Sequence, residues 1–283
     1  MAAGLLASRA RWRNPIGAPS PLLGGCPVVS PVVLAELTSG VGRRARLDLA
    51  YWLLAVISIG LIPLGPFPGL ALVRMAPTVV LAFWALPATR PAFGATIAYG
   101  LLAGAMGDYF LNTFDPDLAV YGVLAFLIGH VFYIAGLRRA GWSASAARRS
   151  LVTGLATFGL GYGAVIAWVN PLQPVRSIGW VTVDPPRLVP VSPALLAYMP
   201  LLIGMASVAV MRRGSRVLAL GALVFVASDS IIPLNQFLLP RAHPSDLYAT
   251  EALLYPGYIT YYLAQYLIAR GAMAEAAAPA PTT

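Results

Sequence analysis

Eight apolar stretches, each bounded by charge or by proline and glycine, fall at about 47–65, 70–88, 92–112, 119–137, 151–169, 193–211, 217–238 and 250–269. A helix of roughly 20 residues crosses the hydrocarbon core of a bilayer, and most of these stretches reach that length. The pattern predicts an all-α polytopic membrane helix bundle with eight transmembrane helices. Arginines cluster at 43, 44 and 46, at 90, at 138, 139, 148 and 149, at 212, 213 and 216, and at 270. These are alternate loops and both ends, which the positive-inside bias assigns to the cytoplasm together with both termini. The opposite loops carry Asp115, Asp117, Asp184, Asp246 and Glu251 and are expected to face outward.

Three domains follow. Residues 1–46 read as a disordered lead rich in Arg, Pro and Gly, because Pro27 and Pro31 interrupt its apolar part and argue against a span. Residues 47–270 form the membrane domain, and 271–283 a disordered tail.

Composition agrees with a cell-membrane location. The chain is 59% hydrophobic and 10% charged, against about 25% charged in soluble domains, and its mean hydropathy is +0.76. All 19 basic residues are arginine. With no lysine there can be no Schiff-base chemistry, so retinal and pyridoxal mechanisms are excluded. The arginines are dispersed between apolar spans, which suits topology rather than nucleic-acid binding. Cys26 is the lone cysteine, and His130 and His243 are the only histidines, so neither an intrachain disulfide nor a three-histidine zinc site can be built. No metal and no cofactor are expected.

Polar residues inside the apolar segments change the picture most. Asp108, His130 and Asp229 interrupt the third, fourth and seventh segments, where an ionisable side chain costs about 2.5–3.5 kcal/mol on insertion scales. The alternating topology puts them at similar depth, in a shared cavity open toward the outer leaflet. Gly100, Gly104 and Gly107 on the third segment, and Gly122, Gly129 and Gly136 on the fourth, allow those helices to approach closely. Segments three and seven share the pattern small residue, Asp, two residues, aliphatic, which suggests two related four-helix halves.

Two carboxyls in one apolar cavity will not both ionise freely, which leaves an acid and a base at one pH, as in glycosidases. Asn112 lies one turn from Asp108 and Gln236 two turns from Asp229, so each carboxyl has an amide near its face. His130 can relay a proton, with Tyr133 one turn away as its hydrogen-bond partner. Tyr255, Tyr258, Tyr262 and Gln265 form one stripe of the last segment. Tyr262 and Gln265 are too deep for an interfacial belt. Arg74 either snorkels to lipid headgroups or holds a substrate phosphate. The plainer alternatives are carboxyls and a histidine that only lock helices in a structural protein, or a proton relay in a transporter.

Taken together, GDYFL, FLIGHVFY, FVASDSIIPLNQF and YYLAQYLIARG resemble the signature stretches of the bacterial YhhN family, relatives of the mammalian lysoplasmalogenases, over roughly residues 48–270. The resemblance implies an eight-span membrane hydrolase acting on a lysophospholipid drawn from membrane lipid. It would cleave the vinyl-ether bond of lysoplasmalogens to a fatty aldehyde and a glycerophospho-alcohol. By motif it carries over Asp108, His130, Asp229 and Gln265, with Tyr133 and Tyr262 as neighbours. The catalytic set expected is Asp108, Asp229 and His130; the substrate-binding set is Arg74, Asn112, Tyr133, Gln236, Tyr258, Tyr262 and Gln265.

Overall fold

The computed structural model describes residues 31–65, 67–86, 91–113, 115–138, 177–178, 181–182, 191–212, 214–233 and 247–277. Among these residues the helices are α1 (Pro31–Gly60), α2 (Leu70–Ala85), α3 (Pro91–Leu111), α4 (Ala119–Arg138), α5 (Val191–Met211), α6 (Arg216–Pro233) and α7 (Leu247–Ala277). Two-residue strands β1 (Ser177–Ile178) and β2 (Val181–Thr182) pair antiparallel. The fifth expected segment, 151–169, and Gln236 lie outside the described residues.

The chain divides into Met1–Gly42 and Arg43–Thr283. In the first unit the described residues are the opening turns of α1. Helix α1 begins at Pro31 rather than near 47, which shortens the expected lead: proline at a first helical position lacks only an N–H that would have no intrahelical partner. The tail expected from 271 is shortened as well, because α7 continues to Ala277 through an alanine-rich stretch of high helix propensity.

In the second unit the helices close a ring. α2 packs on α3, α3 on α4, α4 on α5, α5 on α6, α6 on α7 and α7 back on α2, while α3 and α7 also meet across it. From α1, Tyr51 donates to the Tyr262 carbonyl at 2.5 Å and stacks on Tyr266 at 5.5 Å. Gly65 and Gly69, at φ 66° and 91°, turn the chain into α2 through the left-handed region that glycine adopts without strain. The glycine faces do bring helices together: a Cβ on Gly129 would lie 3.0 Å from the Gly100 carbonyl oxygen, and one on Gly221 would lie 2.7 Å from the Ile268 nitrogen. α2, α5 and α7 run continuously through Pro77, Pro200 and Pro256.

Large apolar side chains lie on the exterior, and several polar ones lie within the apolar core. Leu53, Val56 and Ile57 of α1, Leu124, Ile128 and Val131 of α4, and Leu220 and Leu223 of α6 are exposed, whereas Ser58, Arg74, Thr78, Asp108, His130, Asp229 and Gln265 are buried. An apolar exterior around a largely apolar core that also shelters polar groups is what a lipid solvent selects. Arg44–Leu64 and Ala119–Arg138 are long and apolar enough to cross a membrane, and Leu70–Ala85 and Pro200–Met211 are shorter apolar helices. At one end of the bundle Arg212, just past α5, forms an ion pair with Glu275 of α7, and Glu275 also accepts the Ser215 N–H at 3.5 Å. Burial holds the Arg212 guanidinium below its ordinary pKa, opposed by the charge of Glu275.

Candidate functional site

Helix α3 carries Asp108 inward, where its Oδ2 accepts hydrogen bonds from Tyr261 at 2.8 Å and Thr78 at 3.3 Å. Behind Tyr261 the donors line up in one direction. Tyr133 donates to Gln265 Oε1 at 2.7 Å, and Gln265 Nε2 donates to the Tyr261 hydroxyl at 3.2 Å. Hydrogen-bond polarity in this chain therefore converges on the Asp108 carboxyl. Asn112 does not serve that carboxyl as expected. Its Nδ2 donates to the Asp108 backbone carbonyl at 2.7 Å, and its Oδ1 accepts from Tyr258 at 3.2 Å. A short polar side chain at i+4 leans back toward the helix N-terminus and so reaches the carbonyl of residue i before its side chain.

Asp229, on α6, accepts a hydrogen bond from Tyr198 of α5. His130 of α4 packs edge-on against the Tyr198 ring at 5.0 Å. Its Nδ1 lies 2.7 Å from the Phe126 carbonyl, and because a carbonyl only accepts, Nδ1 carries the hydrogen and Nε2 presents a lone pair. Nε2 is buried without a hydrogen-bond partner among the described residues. The hydrogen bond expected between His130 and Tyr133 does not form: the rings meet edge-on at 6.3 Å, since the i−4 carbonyl captures the imidazole and Gln265 captures the phenol.

The two carboxyls belong to one cluster. Phe126 faces both of their tyrosine partners, Tyr198 at 6.5 Å and Tyr261 at 6.1 Å. Phe225 packs on His130 at 5.1 Å and Tyr261 at 5.6 Å. Asp108 lies within electrostatic reach of Asp229, and Tyr198 within reach of both. The side chains are 5% and 7% exposed, so a reactant must part the packing to touch them. Among the described residues no three His, Cys, Asp or Glu side chains gather as a metal site.

Arg74 corrects the snorkelling expectation, for it has no exposed surface. Its guanidinium lies 4.0 Å from the centre of the Tyr258 ring, and a closed loop holds its helix turn. Nη1 donates to Ser58 at 3.4 Å, Ser58 shares a hydrogen bond with Tyr262 at 2.6 Å, and Tyr262 donates to the Arg74 carbonyl at 3.0 Å. Tyr262 and Gln265 are buried as expected, although their polar atoms face protein partners. Tyr198, Tyr261, Thr78 and Ser58 escaped the reading of the sequence. The available signal for Tyr261 was its i, i+4 relation to Gln265, and for Tyr198 a phenol at the depth of Asp229 in an otherwise apolar span.

The YhhN family model matches residues 70–272, from the start of α2 into α7. The chain is also similar to the human lysoplasmalogenase TMEM86A, with 33% identity over 184 residues, 62% of this chain and 65% of that protein. The match therefore spans just under two thirds of the relative's length. No solved structure matches.

Proposed function

This chain belongs to the YhhN family, and from that premise we propose that it is a membrane hydrolase that cleaves the vinyl-ether bond of lysoplasmalogens to a fatty aldehyde and a glycerophospho-alcohol. The name of its human relative supports the reaction class. The observation that carries the reading is the pairing of two buried carboxyls, each receiving a tyrosine hydroxyl, in one aromatic cluster. We further propose eight spans, with 151–169 as the fifth and both termini cytoplasmic, in keeping with the arginine-bearing loops. Two related halves find support in a repeated contact: the second expected span bonds Asp108 through Thr78, and the sixth bonds Asp229 through Tyr198.

The chemistry needs one protonated and one ionised carboxyl. The protonated Asp gives its proton to the alkenyl carbon distal to the ether oxygen, and the C=C electron pair forms the new C–H bond. The resulting oxocarbenium ion is stabilised by the second carboxylate and by the surrounding ring faces. Water adds to the cationic carbon and loses a proton to that carboxylate. The second carboxyl, now protonated, gives its proton to the glycerol oxygen as the C–O bond breaks, and the first takes the hemiacetal hydroxyl proton, so alcohol and aldehyde leave and both carboxyls return to their starting states. His130 Nε2, a buried acceptor with no hydrogen-bond partner among the described residues and a ring packed on Tyr198, is suited to relay protons. Tyr133, Gln265 and Tyr261 hold Asp108, while Arg74, Tyr258 and Tyr262 line the side on which a polar headgroup would sit.

Purified protein incubated with a lysoplasmalogen and with an acyl lysophospholipid separates the readings. Aldehyde from the first, without fatty acid from the second, is expected. Fatty acid alone would replace the vinyl-ether reading with an esterase, and no product from either would return the buried polar groups to a transport or structural role.

A further inference from the structure

Arg74 is an unfinished contact. Its guanidinium, a planar cation with five N–H donors, is wholly buried. Yet among the described residues the ion pairs are Arg212 with Glu275 and Arg270 with Asp48. Asp108 is within reach of its charge but makes no ion pair with it. Among the described residues only Nη1 has a donor contact, the long one to Ser58, and Nε and Nη2 have no hydrogen-bond partner.

Those two nitrogens are adjacent on one edge of the guanidinium plane. That edge is the fork that grips two oxygens of one phosphate or carboxylate in parallel. A buried cation lacking its counter-charge is among the more costly arrangements a fold can hold, and a ligand that supplies the charge removes the cost. The Tyr258 ring lies against the same guanidinium. Nη1 is already engaged, so the Nε–Nη2 edge is the one left to receive a ligand.

We propose that the Nε–Nη2 edge of Arg74 is an anion site that grips the phosphodiester of the lysolipid substrate in bidentate fashion. The proposal rests on the hydrolase reading above and extends it to the headgroup. Charge favours a phosphodiester over a phosphate monoester: a monoanion neutralises the single uncompensated cation, whereas a dianion would add repulsion against Asp108. Anchored there, the glycerol lies beside Asp108 and the chain runs onto the aromatic wall of Phe126 and Phe225. Free phosphate offers the same oxygens and is the competing source of anion.

The test uses full-length protein in nanodiscs and ligands with a saturated ether in place of the vinyl ether, so that nothing is cleaved. Titrations compare 1-O-alkyl-glycerophosphocholine, the 1-O-alkylglycerol that lacks the phosphate, and inorganic phosphate. Wild type should bind the phosphodiester about tenfold or more tightly than the neutral ether, as charge-assisted paired bonds allow. Arg74→Gln should lose that preference while binding the neutral ether as before. Gly60→Ala, whose added Cβ has nothing within 4 Å, should keep it. Equal binding of both ethers by wild type, which requires no variant to fold, would overturn the proposal, as would a preference that persists in Arg74→Gln. Displacement of the neutral ether by inorganic phosphate, with no preference between the two ethers, would assign the edge to free anion and overturn the lipid source. Aldehyde release without phosphate preference would sink this inference alone. Phosphate preference without aldehyde release would sink only the hydrolase reading.

Discussion

The hydroxyl of Tyr261 donates to the carboxyl of Asp108 across 2.8 Å, tying α7 to α3 between residues 153 positions apart. Tyr198 makes the matching bond to Asp229. If these bonds hold the reacting carboxyls, Tyr261→Phe and Tyr198→Phe should each lower the rate of aldehyde release about tenfold to a hundredfold, since hydrogen bonds to charged groups are worth about 1.5–3 kcal/mol. The rings still pack, but each variant leaves a buried carboxyl short of a partner, so the melting temperature should fall modestly and rates are compared at equal folded protein. Undiminished release by both variants would remove the tyrosines from the site.

His130 is fixed as one tautomer by the Phe126 carbonyl. Nitrogen-15 spectra of histidine-labelled protein, with His243→Gln to leave one ring signal, should show a protonated Nδ1 and an unprotonated Nε2. A hydrogen on Nε2 instead would contradict its role as a proton acceptor.

Close packing of α6 on α7 depends on the missing side chain of Gly221, where a Cβ would stand 2.7 Å from the Ile268 nitrogen. Gly221→Ala should destabilise the bundle by about 1–3 kcal/mol through overpacking. Gly60 has nothing within 4 Å of an added Cβ, so Gly60→Ala should leave the melting temperature nearly unchanged. Equal shifts in the two variants would refute the contact.

Asp108, His130 and Asp229 were legible because each is an ionisable group in an apolar run, and that cost is readable without knowing which helices touch. The stripe of Tyr258, Tyr262 and Gln265 was legible from helical spacing. Their partners were not. Tyr198 and Tyr261 are donors from other helices, and a phenol in a membrane span looks the same whether it lies in the interfacial belt or against a carboxyl; packing decides. Arg74 left two readings open in the sequence, a snorkelling end residue or a holder of a substrate phosphate, and its burial removes the first. Residues on α1 and α7 meet there, Ser58, Tyr258 and Tyr262, and no local pattern encodes that meeting. Asn112 and Tyr133 were placed on the right faces but given the wrong partners, because backbone carbonyls and Gln265 compete for the same donors.

Aldehyde release from lysoplasmalogen by wild type, Asp108→Asn and Asp229→Asn, at equal folded protein, tests the central claim that these two carboxyls together carry the reaction. Each amide keeps the size of its carboxyl but can neither give nor take the proton, so each variant should fall at least about a hundredfold, the usual worth of a placed acid or base. A wild-type rate retained by either variant would contradict the account.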